Sequence, residues 1–192
     1  MQLRKLTLSE IHTIYKSSLF QQAFPPAEIR PWSSIQRHIA AGRYVCWGWF
    51  DEQGHVCSYA FLFAWQGALL LDYLASAPQV RGTGAGGAFL QALNARLDAP
   101  VVGEVEDLNS QSEAENALRR RRMDFYARNG FALRGICSRV YGVHYRIVAN
   151  AAAAGLSDEA LAAYLDGMYT ALLGSWRKRF HVRLWLAPVN VP

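Results

Sequence analysis

Arg81-Gly82-Thr83-Gly84-Ala85-Gly86 places three glycines beside an arginine, and Gly87 follows at once. Bare backbone N–H groups can close on a phosphate where no side chain intervenes, and a helix starting there adds its positive end. The chemistry on offer is the grip of an anionic phosphate, with Arg81 as a nearby cation. Tyr126 carries a phenol that stays protonated at neutral pH. Arg119 and Arg122 share its helical face and are placed to lower its pKa or to meet phosphate. Three carboxylates are candidate bases: Glu104, Glu106 and Asp72. Glu104 and Glu106, two apart on a strand, share one sheet face, and burying such a pair raises one pKa toward the working range.

Other chemistries find less support. His12, His38, His55, His144 and His181 include no H-E-x-x-H spacing, which argues against a metal site, and no G-x-S-x-G elbow marks a hydrolase. Cys46, Cys57 and Cys137 are odd in number and form no C-x-x-C pair, so they read as reduced packing residues. The net charge of +5 suits an anionic ligand without requiring nucleic acid. In Arg119-Arg120-Arg121-Arg122 the side chains point all round a helix, so the run reads as a partly solvated face. Residues 59–77 are apolar and long enough to imitate a membrane span. Asp72 and the turn-forming Gln66-Gly67 argue against one. The N-terminal residues carry no apolar block, so no secretory signal is expected and a cytoplasmic location follows.

The elements that must hold these groups read as follows. Thr7-Leu8-Ser9-Glu10 has the form of a capping box, opening a first helix through Ile11, Ile14, Tyr15 and Leu19 after a short strand. Phe24-Pro25-Pro26 breaks it, residues 21–30 form a loop, and Pro31 fits the first position of a second helix ended by Gly42. Strands are expected over 43–51, 55–65 and 68–76, an antiparallel meander. The glycine loop then leads into a helix with Phe89, Leu90, Leu93 and Leu97 on one stripe, and 101–106 returns as a strand beside the last. A helix over 113–129 closes at Gly130, with strands at 131–136 and 139–148. Ser157 caps a tail helix through Leu161, Leu165, Met168, Leu172 and Leu173, and a last strand covers 181–187.

Three readings of the glycine loop remain at this level. Gly82-x-Gly84-x-x-Gly87 fits the dinucleotide fingerprint, with Glu104 about 20 residues on as the ribose acid. The strands before it are antiparallel and too few strand-helix units follow, which tells against that reading and the nicotinamide-dependent reductase it implies. A turn without a ligand would waste chain entropy on four glycines. The third reading takes Arg81-Gly82-Thr83-Gly84-Ala85-Gly86 as the Gln/Arg-x-x-Gly-x-Gly/Ala motif, and Phe125-Tyr126-Ala127-Arg128-Asn129-Gly130-Phe131 as a Y-x-x-x-G-F signature. In both the chain resembles the GNAT superfamily of N-acetyltransferases, over residues 3–148.

That resemblance implies a mixed α/β fold with a mostly antiparallel central sheet flanked by helices. It divides the chain into a core at 1–149 and a helix-strand extension at 150–192, packed on the core or lying at a homodimer interface. It also implies transfer of an acetyl group from acetyl-CoA, as co-substrate, to a primary amine of a small molecule or peptide. Neither a metal, nucleic acid nor a membrane enters that scheme. Arg81, Gly82, Thr83, Gly84, Ala85 and Gly86 would bind the pyrophosphate. Leu74, Ala75 and Ser76 would offer backbone groups to the pantetheine arm and thioester oxygen. Tyr126 would touch the cofactor and act as general acid, and Glu104 as base, directly or through water. Arg119 departs from the asparagine many relatives carry there. A catalytically silent acyl-CoA-binding module is the alternative on the same fold. The acceptor would be set by residues of the first helices and their loop, including Phe24, Glu28, Arg30 and Trp32.

Overall fold

A computed structural model describes residues 1–189. Their eight strands form a mostly antiparallel sheet in the order β1-β2-β3-β4-β5-β7-β6-β8, accompanied by seven helices. The chain divides into two compact units, Met1–Ala64 with Leu71–Leu97, and Trp65–Leu70 with the chain from Asp98 on.

In the first unit, β1 (Gln2–Lys5) leads to α1 (Leu8–Lys16) through the expected capping box. Thr7 accepts from the Glu10 N–H, and the Glu10 carboxylate accepts from the Thr7 N–H at 2.8 Å. The first helix is interrupted where one continuous helix was expected. Ser17 turns extended and spends its hydroxyl on the Ile14 carbonyl at 2.6 Å, so a separate α2 (Ser18–Gln21) begins. This break aims Phe20 into the core, where it meets Tyr15, Phe24, Tyr59, Phe61 and Tyr73.

Pro31 stands one residue outside α3 (Trp32–Ala40), as its N-cap. The strands β2 (Tyr44–Phe50), β3 (Val56–Trp65) and β4 (Ala68–Ser76) follow within a residue or two of expectation. The apolar stretch that imitates a membrane span is therefore two strands joined at Gln66 and Gly67, both with positive φ. Among the described residues no helix is long and apolar enough to cross a membrane. Strand alternation sends Tyr44 toward His38 of α3 and Trp49 toward Phe89 of α4 (Ala85–Asn94), so helices cover both faces of β2.

The second unit is built on β5 (Val101–Glu106), β6 (Phe131–Val140), β7 (Val143–Asn150) and β8 (Val182–Leu186). β6 and β7 turn later than the sequence pattern implies. Tyr141 and Gly142, with φ of 49° and 93°, make a two-residue hairpin, so Arg139 belongs to β6 and not to the following strand. The helix α5 (Glu113–Arg128) and the tail helix α6 (Asp158–Leu173) lie on opposite faces of β5: a Cβ on Gly103 would stand 3.9 Å from the Tyr126 ring, whereas Glu104 meets Tyr169. A short α7 (Ser175–His181), which the sequence pattern did not suggest, precedes β8. The residues after Asn150 belong to this unit. Arg134 donates to Asp158 at 2.7 Å and to the carbonyls of Ala153 and Leu156, fastening the tail to β6.

Candidate functional site

In the first unit, β4 ends at Ser76 and a tight turn over Pro78–Val80 delivers the chain to Arg81. Gly82 and Gly84 have φ of 78° and 85°, the left-handed region where a Cβ is strained, and Gly84 is the N-cap of α4. No side chain caps that helix, so its first N–H groups are left to water or to a ligand. Thr83 secures the turn by donating its hydroxyl to the Val80 carbonyl at 2.8 Å. Arg81 Nε donates to the Ser76 carbonyl at 3.1 Å, tying the loop to the end of β4. Ser76 is thus partly spent: its carbonyl holds Arg81 and its hydroxyl bonds that of Ser58 at 2.7 Å.

Asp72, one of the three carboxylates, is engaged in an ion pair. Arg30 grips it through two hydrogen bonds of 3.0 Å, Tyr44 donates its hydroxyl to the same carboxylate, and both charged side chains are largely buried. Burial works against the charged guanidinium, yet Asp72 and Tyr44 hold the Arg30 pKa well above its ordinary value. The Arg30 N–H donates to the Tyr73 hydroxyl at 2.9 Å, which donates in turn to the Glu28 carbonyl. Arg30 therefore anchors the segment before α3. Phe24 packs edge-on against Tyr73, and Trp32 lies against His12 and Tyr15, so these aromatic groups are packing elements in this unit.

In the second unit, Glu104 Oε1 accepts from the Ser138 hydroxyl at 2.5 Å and from the Tyr169 hydroxyl. Ser138 and Tyr169 are fully buried, so the carboxylate is held in one orientation by two donors. The expected carboxylate pair does not form. Glu106 is taken by Arg122 and by Arg119 at 3.6 Å, because α5 carries two guanidinium groups within reach of the end of β5. Arg119 also donates to the Asp107 carbonyl at 2.8 Å and to Asn109 Oδ1 at 2.9 Å, fastening the loop that leads into α5.

Tyr126 lies edge-on to Phe125 and Phe131, with ring centroids at 5.5 and 5.4 Å. Its hydroxyl has no hydrogen-bond partner among the described residues. Burial pushes its pKa up to about 12, and Arg122 offsets that only in part. Burial thus outweighs the lowering expected from the arginines, both of which also pair with Glu106.

No family model matches this sequence, and no curated protein matches it. Solved structures do. A Bacteroides thetaiotaomicron protein assigned to the GNAT family of acetyltransferases aligns over 91% of this chain and 99% of its own, with a TM-score of 0.73 at 20% identity. The chain has the GNAT acetyltransferase fold. The aminoglycoside 6'-N-acetyltransferase of Enterococcus faecium aligns over 78% of this chain and 96% of its own, with a TM-score of 0.59 at 13% identity. The phosphinothricin acetyltransferase of Sinorhizobium meliloti, solved in complex with acetyl-CoA, covers 78% and 86% with a TM-score of 0.52 at 20% identity.

Within this GNAT fold, Arg81, Gly82, Thr83, Gly84, Ala85 and Gly86 form one turn at the start of α4, and Leu74, Ala75 and Ser76 end the strand before it. Tyr126 and Glu104 occupy opposite faces of β5. Sequence reasoning missed Ser138 and Tyr169, the partners of Glu104, and Tyr44, the second partner of Asp72. Tyr169 stands among Leu165, Met168 and Leu172 and reads as one more apolar position of α6. The register of β5 on β7 and of β7 on β6 brings Ser138 to the carboxylate, and the packing of α6 on that face brings Tyr169.

Proposed function

We propose that this chain is an acyltransferase that moves an acetyl group from acetyl-CoA to a primary amine of a small molecule or peptide. The observation that carries the reading is the uncapped start of α4, opened by two left-handed glycines with Arg81 beside them. Such a turn suits the CoA pyrophosphate, which backbone N–H groups and a helix end attract without any side chain in the way. Arg81, Gly82, Thr83, Gly84, Ala85 and Gly86 would hold it, and Leu74, Ala75 and Ser76 would face the pantetheine arm.

In the reaction, the lone pair of a neutral amine attacks the thioester carbonyl carbon, the C–S bond breaks, and the departing sulfur takes a proton. Glu104 is the proposed proton acceptor for the amine, directly or through one water, with Ser138 and Tyr169 holding it in place. Tyr126 is the proposed donor to the sulfur; its phenol O–H is protonated throughout the working range and has no competing partner among the described residues. The neighbours named for aminoglycoside and phosphinothricin acetylation support an amine acceptor of this general kind.

A silent acyl-CoA-binding module is the second reading, favoured by the high Tyr126 pKa, which makes proton donation costly. A thermal-shift series with acetyl-CoA, CoA and NAD, followed by CoA-thiol release over a panel of amines, separates the possibilities. Stabilisation by both CoA species with amine-dependent release is expected. Stabilisation without release across the panel leaves the silent module, and stabilisation by NAD alone refutes both.

A further inference from the structure

Along β3 the chain reads Val-Cys-Ser-Tyr-Ala-Phe-Leu-Phe-Ala-Trp, and its one aliphatic hydroxyl, that of Ser58, belongs to a fully buried residue. A hydroxyl there costs stability unless it is hydrogen-bonded. Its partner is the Ser76 hydroxyl, 2.7 Å away at the end of β4. The following residue is tied to the same strand, because the Ala77 N–H donates to the Cys57 carbonyl at 2.8 Å. β3 thus holds the peptide unit between Ser76 and Ala77 twice, once through a side chain and once through the N–H.

In a trans peptide the carbonyl points opposite to the N–H, so fixing the Ala77 N–H on β3 also fixes the direction of the Ser76 carbonyl. That carbonyl accepts from Arg81 Nε at 3.1 Å. A guanidinium is planar, with its N–H groups in a rigid fork. Once Nε is held, the plane is set and Nη1 and Nη2 are aimed together. Neither terminal nitrogen has a partner among the described residues, and Arg81 makes no ion pair among them. The cleft of about 390 Å³ that Arg81 lines beside α2 carries no other charged side chain. The fork is preset and its charge uncompensated, which suits a phosphate group: a side chain already ordered loses less freedom when an anion binds.

We propose that Ser58 is a positioning residue for the cofactor's pyrophosphate, acting through Ser76 and Arg81. The inference rests on the reading of the turn from Arg81 to Gly86 as the grip on CoA. Two other roles for the hydroxyl predict different behaviour. If it only filled the core, its loss would change melting and leave ligand affinity alone. If it acted on the cofactor by another route, its loss would matter equally with Arg81 absent.

The test is calorimetric titration of CoA into the full-length parent, Ser58→Ala, Arg81→Met and the double variant, with acetyl-CoA kinetics on the same proteins. Ser58→Ala should weaken CoA binding about 10-fold, the order of one hydrogen bond to a charged group. In the amine-dependent assay KM for acetyl-CoA should rise by the same factor, with kcat within about twofold of the parent. Against Arg81→Met the serine change should have no further effect, because the two residues act in series. A parent that binds CoA and a Ser58→Ala chain that binds it equally well would overturn the positioning role while leaving the assignment of the turn intact. So would a loss of affinity that is the same with and without Arg81. A parent that binds no CoA overturns both. Should Ser58→Ala melt early, Ser76→Ala decides the matter, since it removes the other half of the same bond from a residue that is only partly buried and keeps the backbone groups. Unchanged CoA affinity in that variant overturns the proposal.

Discussion

Replacing Tyr126 by Phe removes one oxygen and leaves the ring between Phe125 and Phe131. Because the hydroxyl has no hydrogen-bond partner among the described residues, the variant should fold with a stability close to the parent's. The effect on catalysis should be far larger. With Tyr126 held up to about 12 by burial, full proton transfer to a thiolate of ordinary pKa, about 8.5, is uphill by about 3.5 pKa units, or about 5 kcal/mol. An enzyme turning over at about 10 per second has a barrier of about 16 kcal/mol, so the step fits if donation accompanies C–S cleavage. Loss of such an acid should lower kcat by about 100- to 10,000-fold with KM for acetyl-CoA within a few-fold of the parent. Arg122 partly offsets burial, so Arg122→Met should raise the Tyr126 pKa further and lower kcat in the same direction by a smaller factor. The assay is CoA-thiol release at saturating acetyl-CoA across pH. A Tyr126→Phe enzyme within about threefold of the parent kcat at every pH would refute the assignment, since no general acid contributes so little.

Further outcomes follow from other parts of the molecule. Gly84→Ala forces a Cβ into a φ of 85° and should cost about 1 to 2 kcal/mol; the stabilisation conferred by acetyl-CoA in a thermal-shift assay should shrink as well. Asp72→Ala leaves the Arg30 guanidinium buried and unpaired and should destabilise by about 3 to 5 kcal/mol in urea unfolding, whereas Asp72→Asn should keep its kcat, and a loss of kcat at parent stability would make Asp72 the base in place of Glu104. Arg4, and then the Thr7 backbone N–H, hold Glu10 down to about 2 from its ordinary 4.5. Its contribution should be fully present above pH 4.5 and fade as pH falls toward 2, so the stability gap between parent and Glu10→Gln should close over that window.

The parts of the fold that the sequence makes legible are those governed by local chemistry. Thr7 and Glu10 announce their capping box, Gln66-Gly67 its turn, and the glycine loop its helix start, because a few adjacent residues determine each. The break at Ser17 was hidden, since one hydroxyl bonding the Ile14 carbonyl competes with a helix that the apolar spacing would continue. The late hairpin at Tyr141-Gly142 was hidden for another reason: a tyrosine in the left-handed region is rare and carries no turn signature. At the candidate site, residue types named the groups but not their partners. Glu106 and Glu104 look equivalent on β5, and only long-range packing gives one to two arginines and the other to two hydroxyls. Asp72 likewise looks free until Arg30, 42 positions away, closes on it.

The pairing of β8 on β6 has a consequence for any shortened form of this protein. β6 runs for ten residues, and β8 covers half of its length, from Ile136 to Val140. Cutting the chain at residue 149 would bare those N–H and C=O groups as a template for another strand, and would also remove the Tyr169 hydroxyl that steadies Glu104. The tail thus protects against aggregation while its own helix reaches back to a carboxylate in the middle of the sheet. If Glu104 is the base, loss of acetyl transfer in a truncated chain would leave two causes entangled, misassembly and a loosened carboxylate, and Tyr169→Phe in the intact chain is the change that parts them.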